Sequence, residues 1–97
     1  MLSKKEILSK LNELKPTLSS EYAVKKIGLF GSFNDETNTA DSDIDLIIDL
    51  EKPIGWKFFS LELYLEKVFG RDIDLVTKKA LRKEMKKQIL EKAKYAW

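Results

Sequence analysis

The sequence contains no cysteine and no histidine. Without cysteine there is no disulfide framework and no thiolate metal site. Without histidine the usual general base near neutral pH and the usual zinc ligand are both missing. Catalysis in this chain has to rest on carboxylates, hydroxyls, lysine or arginine, with a hard, oxygen-bound cation as the metal. No apolar run approaches the roughly 20 residues that cross a bilayer. Met1-Leu2-Ser3-Lys4-Lys5 opens like a signal peptide, but Glu6, Ser9 and Lys10 interrupt any apolar segment, so no export signal is read and a cytoplasmic protein is expected.

What is present fits one small domain over residues 1–97, large enough for a single modest core. The formal charge of +2 conceals an asymmetry: residues 28–77 hold 11 acids against 4 bases, and residues 78–97 hold 8 bases against 2 acids. A solvated helix face is the plainer account of the basic end. The functional account is docking onto an acidic partner or RNA, or help in holding a triphosphate.

Ser3-Lys4-Lys5-Glu6 fits a capping box, so a helix is expected from Lys4, with Ile7, Leu8, Leu11 and Leu14 on its apolar face. Pro16 should end it at Lys15, leaving residues 17–22 as a loop. Val24 to Phe30 reads as a strand, and residues 33–42 as a loop or at most one helical turn. Asp43 to Asp49 reads as a second strand with Ile44, Leu46 and Ile48 toward the core and Asp43, Asp45, Ile47 and Asp49 on the other face. A helix from Trp56 to Phe69 ends at Gly70, and it carries more apolar residues than a narrow stripe needs, so part of it is free to meet a partner. Ile73 to Val76 is a third, short strand. Thr77 is expected to cap a last helix lined by Leu81, Met85, Ile89 and Ala93, with Leu90 and Trp97 beside them. This order predicts an α/β or α+β arrangement, helices packed on a small sheet.

The chemistry concentrates in residues 28–49. Gly31-Ser32 closes the first strand with a hydroxyl and a backbone that another group can approach, parts suited to gripping phosphate. Asp43 and Asp45, at i and i+2, project to one side of a strand. Asp74, in Arg71-Asp72-Ile73-Asp74-Leu75-Val76, completes a cluster of three carboxylates if the second and third strands are neighbours. Two such charges 4 Å apart repel by about 4 kcal/mol at an effective dielectric near 20, and a divalent cation removes that penalty. Mg²⁺ suits the inventory, since it is held by one or two carboxylates together with substrate phosphates and water. Aspartates set against edge-to-edge aggregation are the bland alternative. A calcium loop beginning at Asp41 is another, and it fails where Leu46 and Lys52 replace the required Gly and Glu.

Gly31-Ser32, ten residues, then Asp43-x-Asp45, with Asp72-Ile73-Asp74-Leu75-Val76 downstream, resembles the signature of the minimal nucleotidyltransferases of the polymerase-β-like superfamily. The likeness covers residues 20–97, and the small size is similar to that of antitoxins of the HEPN/MNT toxin–antitoxin modules. The resemblance implies a small mixed β-sheet with helices packed on it, the polymerase-β-like nucleotidyltransferase fold. It implies that Gly31 and Ser32 hold ATP, that Asp43, Asp45 and Asp74 hold two Mg²⁺ ions, and that AMP passes to a tyrosine hydroxyl of a HEPN ribonuclease toxin. Homo- or hetero-oligomers are expected, direct nucleic-acid binding is not. Many relatives follow Gly-Ser with an aromatic residue, a small residue and Arg-Gly. Here Phe33 fits, but Asn34-Asp35-Glu36 puts acid in place of the base, leaving Arg71, Lys78 and Arg82 to meet phosphate. Two further readings belong beside this one: a module that neutralises its toxin by occlusion alone, and transfer to a small-molecule hydroxyl.

Overall fold

A computed structural model describes residues 2–97. Helix α1 (Lys4–Tyr22) is followed by β1 (Val24–Phe30), a short α2 (Gly31–Asp35), β2 (Ile44–Leu50), α3 (Lys57–Phe69) and β3 (Ile73–Thr77); a 3₁₀ turn (Lys78–Ala80), α4 (Lys83–Lys92) and a two-residue β4 (Lys94–Tyr95) complete the chain. The four strands form one mixed sheet in the order β3-β2-β1-β4. β1 runs antiparallel to both β2 and β4, while β2 and β3 are parallel, joined by the α3 crossover such a pair requires.

One face of the sheet carries the core. Ile27 and Leu29 of β1, Ile44, Leu46 and Ile48 of β2, and Ile73 and Leu75 of β3 pack against Ile7, Leu11 and Leu18 of α1 and Leu61, Leu65 and Phe69 of α3. The i, i+4 spacing of the helical members is what lays them on one stripe. Gly70 ends α3 in the left-handed conformation, φ 64°, as its sequence position predicts.

Four expectations are corrected. α1 does not stop at Lys15: it runs through Pro16, and residues 17–22 are helical. Pro16 forfeits one helical hydrogen bond, a local cost of about 3 kcal/mol. The continuation buries Leu18 completely and brings Tyr22 to a stacked contact with Tyr64, centroids 6.1 Å apart. Thr77 caps the 3₁₀ turn, its hydroxyl accepting from Ala80 N–H at 3.2 Å, and not the last α-helix. α4 begins only at Lys83, leaves Ala93 and Trp97 outside it and buries no residue, with Met85 52% exposed. β4 was not foreseen. Its Tyr95 lies opposite Gly28, where an added Cβ would meet the tyrosine ring at 3.1 Å, so the missing side chain is what admits the ring.

The second sheet face is different in kind. Alternation along the paired strands places Phe30, Asp45 and Asp74 in one row and Gly28, Ile47 and Val76 in the next. Ile47 is buried yet lies outside the main core cluster. On α3 the surplus apolar residues do remain at the surface: Trp56 and Phe59 are 85% and 57% exposed, with ring centroids 5.7 Å apart, and Leu63 is 60% exposed.

Candidate active site

β1 ends at Phe30, opposite Asp45, and the chain turns at once into α2. Gly31 makes that turn with φ 73°, a conformation that costs a residue with a Cβ. A second constraint acts on the same atom. A Cβ on Gly31 would fall onto the Asp45 carboxylate, with Asp45 Cγ 2.9 Å and Asp45 Cβ 3.2 Å from it. The glycine is therefore the cradle in which the carboxylate sits. Ser32, second residue of α2 and half-buried, belongs to the first turn, whose backbone N–H groups have no partner within the helix.

Parallel register sets Asp45 beside Asp74. With the two carboxyl groups side by side, the Asp45 pKa is pushed up from 3.8 to about 6. Burial is the largest cause, followed by the neighbouring Asp74 carboxylate and then the Asp43 charge. Asp43 thus acts on Asp45 through its field. It stands just before β2, which begins at Ile44, and it is exposed. Among the described residues no three acidic side chains converge tightly enough to enclose a cation unaided. The donor set still fits magnesium, because that ion completes its octahedron with water and phosphate oxygens.

A shallow depression of about 470 Å³ adjoins the site, lined by residues 40–43 on one side and Glu66, Gly70, Arg71 and Asp72 on the other. It touches the carboxylates only through Asp43; Asp45 and Asp74 lie on the open sheet face, so the chemistry is located by the cradle and not by the depression.

Two residues have roles here that sequence reasoning did not give them: Asn34, and Arg71, which was expected to meet phosphate. Asn34 is 7% exposed, and its Nδ2 donates to Lys92 C=O at 2.7 Å, tying α2 to the end of α4; its Oδ1 has no partner among the described residues. Arg71 is turned toward the loop before Asp43. Its Nη2 donates to Ser42 C=O at 2.6 Å and Ala40 C=O at 2.8 Å, and its Nε to Ser42 C=O at 3.2 Å. These bonds occupy two of the three guanidinium nitrogens, turning them toward the loop.

The sequence profile of the nucleotidyltransferase domain matches residues 11–96. The chain belongs to the nucleotidyltransferase family. Protein adenylyltransferase MntA of Thermococcus cleftensis is 38% identical over 96 residues, 98% of this chain and 97% of its own length. MJ0128 of Methanocaldococcus jannaschii, named as a candidate protein adenylyltransferase, is 39% identical over 87 residues, 89% of each chain. Among solved structures, one described as a minimal nucleotidyltransferase superposes with a TM-score of 0.78 at 26% identity, over 95% of this chain and 94% of that one. A toxin–antitoxin crystal structure with AMP-PNP matches at a TM-score of 0.73 and 22% identity, over 89% of this chain and 72% of that one, a likeness of fold. This nucleotidyltransferase is thus of the minimal kind, an α+β domain with a four-stranded mixed sheet. Among the described residues no helix is long and apolar enough to cross a membrane.

Proposed function

We propose that this nucleotidyltransferase is a Mg²⁺-dependent protein adenylyltransferase that moves AMP from ATP to a hydroxyl, a tyrosine of a cognate HEPN ribonuclease, and so serves as that toxin's antitoxin. The observation that carries the reading is the seating of the Asp45 carboxylate against Gly31 and beside Asp74. One carboxylate is built into the turn that closes β1, and a second stands next to it. The substrate class is supported by the match to MntA, which spans almost the whole of both chains. The partner is supported by the fold shared with the MNT antitoxin seen in complex with a tri-AMPylated Shewanella oneidensis HEPN toxin, TM-score 0.63.

On this reading Gly31 and Ser32 hold the triphosphate, and Asp43, Asp45 and Asp74 hold the metal, two ions in the full complex. Bound magnesium would supply neutralisation of the charge that develops on the entering and leaving oxygens. The hydroxyl oxygen attacks the α-phosphorus in line, the bond to the β-phosphate oxygen breaks, and pyrophosphate leaves. No histidine is present to take the hydroxyl proton. Asp74, the exposed member of the pair, is the carboxylate placed to receive it at an Oδ atom and release it to water.

The test is incubation of the purified chain with its HEPN partner, ATP and Mg²⁺, followed by mass spectrometry of the partner. Addition of AMP units to a tyrosine peptide, abolished by Asp45→Asn, is expected; an unmodified partner under conditions where ATP binds refutes the reading. Asp35 and Glu36, which put acid where relatives carry Arg-Gly, favour a second reading, neutralisation by binding alone. It predicts that a chain carrying Asp43→Asn and Asp45→Asn still protects against the toxin.

A further inference from the structure

Arg71 stands two residues before β3, and its planar cation touches both the loop before Asp43 and the Phe33 ring of α2. It binds the Thr39–Ser42 bend through the Ala40 and Ser42 carbonyls at 2.6 to 3.2 Å, with the Thr39 carbonyl at 3.5 Å. Its Cζ lies 5.1 Å from the centroid of Phe33, a fully buried ring two residues beyond Gly31. Its own backbone leads directly through Asp72 into the strand bearing Asp74, and Asp72 C=O accepts from Ile44 N–H at 3.0 Å, between Asp43 and Asp45. A planar fork spreads its donors over several carbonyls while its face lies on a ring; an ammonium gathers three donors at one point and cannot reproduce that spread. Ser42 immediately precedes Asp43, the one carboxylate of the three that no strand register fixes. Whatever holds the bend therefore decides where Asp43 stands.

We propose that Arg71 is the positioning residue of the cation site: it pins the bend to β3 and Phe33, and so brings Asp43 to the side of Asp45 and Asp74. The inference rests on the reading that these carboxylates hold a divalent cation. It assigns Arg71 no contact with substrate.

The experiment uses the full chain and a readout that needs neither nucleotide nor acceptor. Mn²⁺ binding is followed by electron paramagnetic resonance for the wild type, Arg71→Gln, Arg71→Lys and Phe33→Leu, with thermal melts alongside. Both Arg71 variants should bind Mn²⁺ about tenfold more weakly or worse, the scale seen when partners of metal ligands are removed, with lysine giving no rescue. The Mg²⁺ concentration for half-maximal AMP transfer should rise by the same factor while KM for ATP at saturating Mg²⁺ stays unchanged. Phe33→Leu removes only the stack and should weaken Mn²⁺ by about threefold, a fraction of the full effect; it decides the question if the Arg71 variants do not fold. Unchanged Mn²⁺ affinity in the folded variants, whatever happens to their melting temperatures, overturns the proposal and leaves Arg71 a brace for the fold. A wild type that binds no Mn²⁺ sinks both the cation reading and this one. A wild type that binds Mn²⁺ but transfers no AMP sinks only the transfer reading, and the affinities still judge Arg71.

Discussion

Replacing Asp45 with Asn should make the metal-free protein more stable at neutral pH while abolishing transfer. The Asp45 carboxyl titrates near 6 in the folded chain against 3.8 as an ordinary aspartate, so the folded state binds the proton more tightly than the unfolded chain. Well below pH 3.8 the group is neutral in both states and costs nothing. As pH rises through 6 the folded state must give up a proton it prefers to keep, and stability falls. Converted in full, a shift of about two pH units is about 3 kcal/mol. The carboxyl is open to water on one side, and screening brings the realistic penalty to about 1 kcal/mol. Removing it should raise Tm by roughly 4–8 °C at pH 7.5 for a domain of this size. At about pH 3, below the ordinary aspartate value, the two proteins should melt together. Saturating Mg²⁺ should raise the wild-type Tm at pH 7.5 and leave the variant's unmoved, with a chelator reversing the effect. A variant that melts lower than wild type at pH 7.5, or gains equally at both pH values, would refute the reasoning, because the cluster would then carry no repulsion for a cation to relieve.

Three other substitutions report on separate parts of the structure. Gly31→Ala should lower stability by about 1–2 kcal/mol through its left-handed backbone and displace the Asp45 carboxylate as well, so transfer should vanish while circular dichroism still shows a folded chain. Glu36, at φ 60°, occupies a conformation that glycine adopts freely; Glu36→Gly should raise stability by about 1 kcal/mol in urea titrations, and a loss would show that its side chain is anchored. Leu46→Ala, fully buried between α1 and α3, should cost about 2–5 kcal/mol by denaturant unfolding, whereas Leu63→Ala on the exposed side of α3 should fall within about 0.5 kcal/mol.

The parts of the fold that were legible are those written in local pattern. Val24–Phe30 appears with the boundaries its apolar run gives it, and Gly70 stops α3 where a glycine should. What failed is non-local. Nothing near Pro16 announces that Leu18 has a slot to fill against the sheet, and burial of that side chain outweighs the local signal. Two residues, Lys94 and Tyr95, carry too little pattern to read as a strand; they become one because the edge of β1 has open partners and Gly28 leaves room for a ring. At the site, the i, i+2 spacing of Asp43 and Asp45 was visible, but the strand begins between them, so register fixes Asp45 beside Asp74 and leaves Asp43 to the loop. In the sequence Arg71 reads as a stand-in for the missing phosphate-facing arginine; its bonds to the Ala40 and Ser42 carbonyls could not be read, because an arginine before a strand is ordinary until the carbonyls it meets are known.

The Gly31 cradle also makes the site observable. A glycine amide resonates in a sparsely populated region of a proton–nitrogen spectrum, and with only four glycines in the chain it can be followed without ambiguity. Because its α-carbon lies against the Asp45 carboxylate, ionisation of that group or its capture by a metal should move this one peak. The residue that contributes no side chain is the natural reporter for the one beside it.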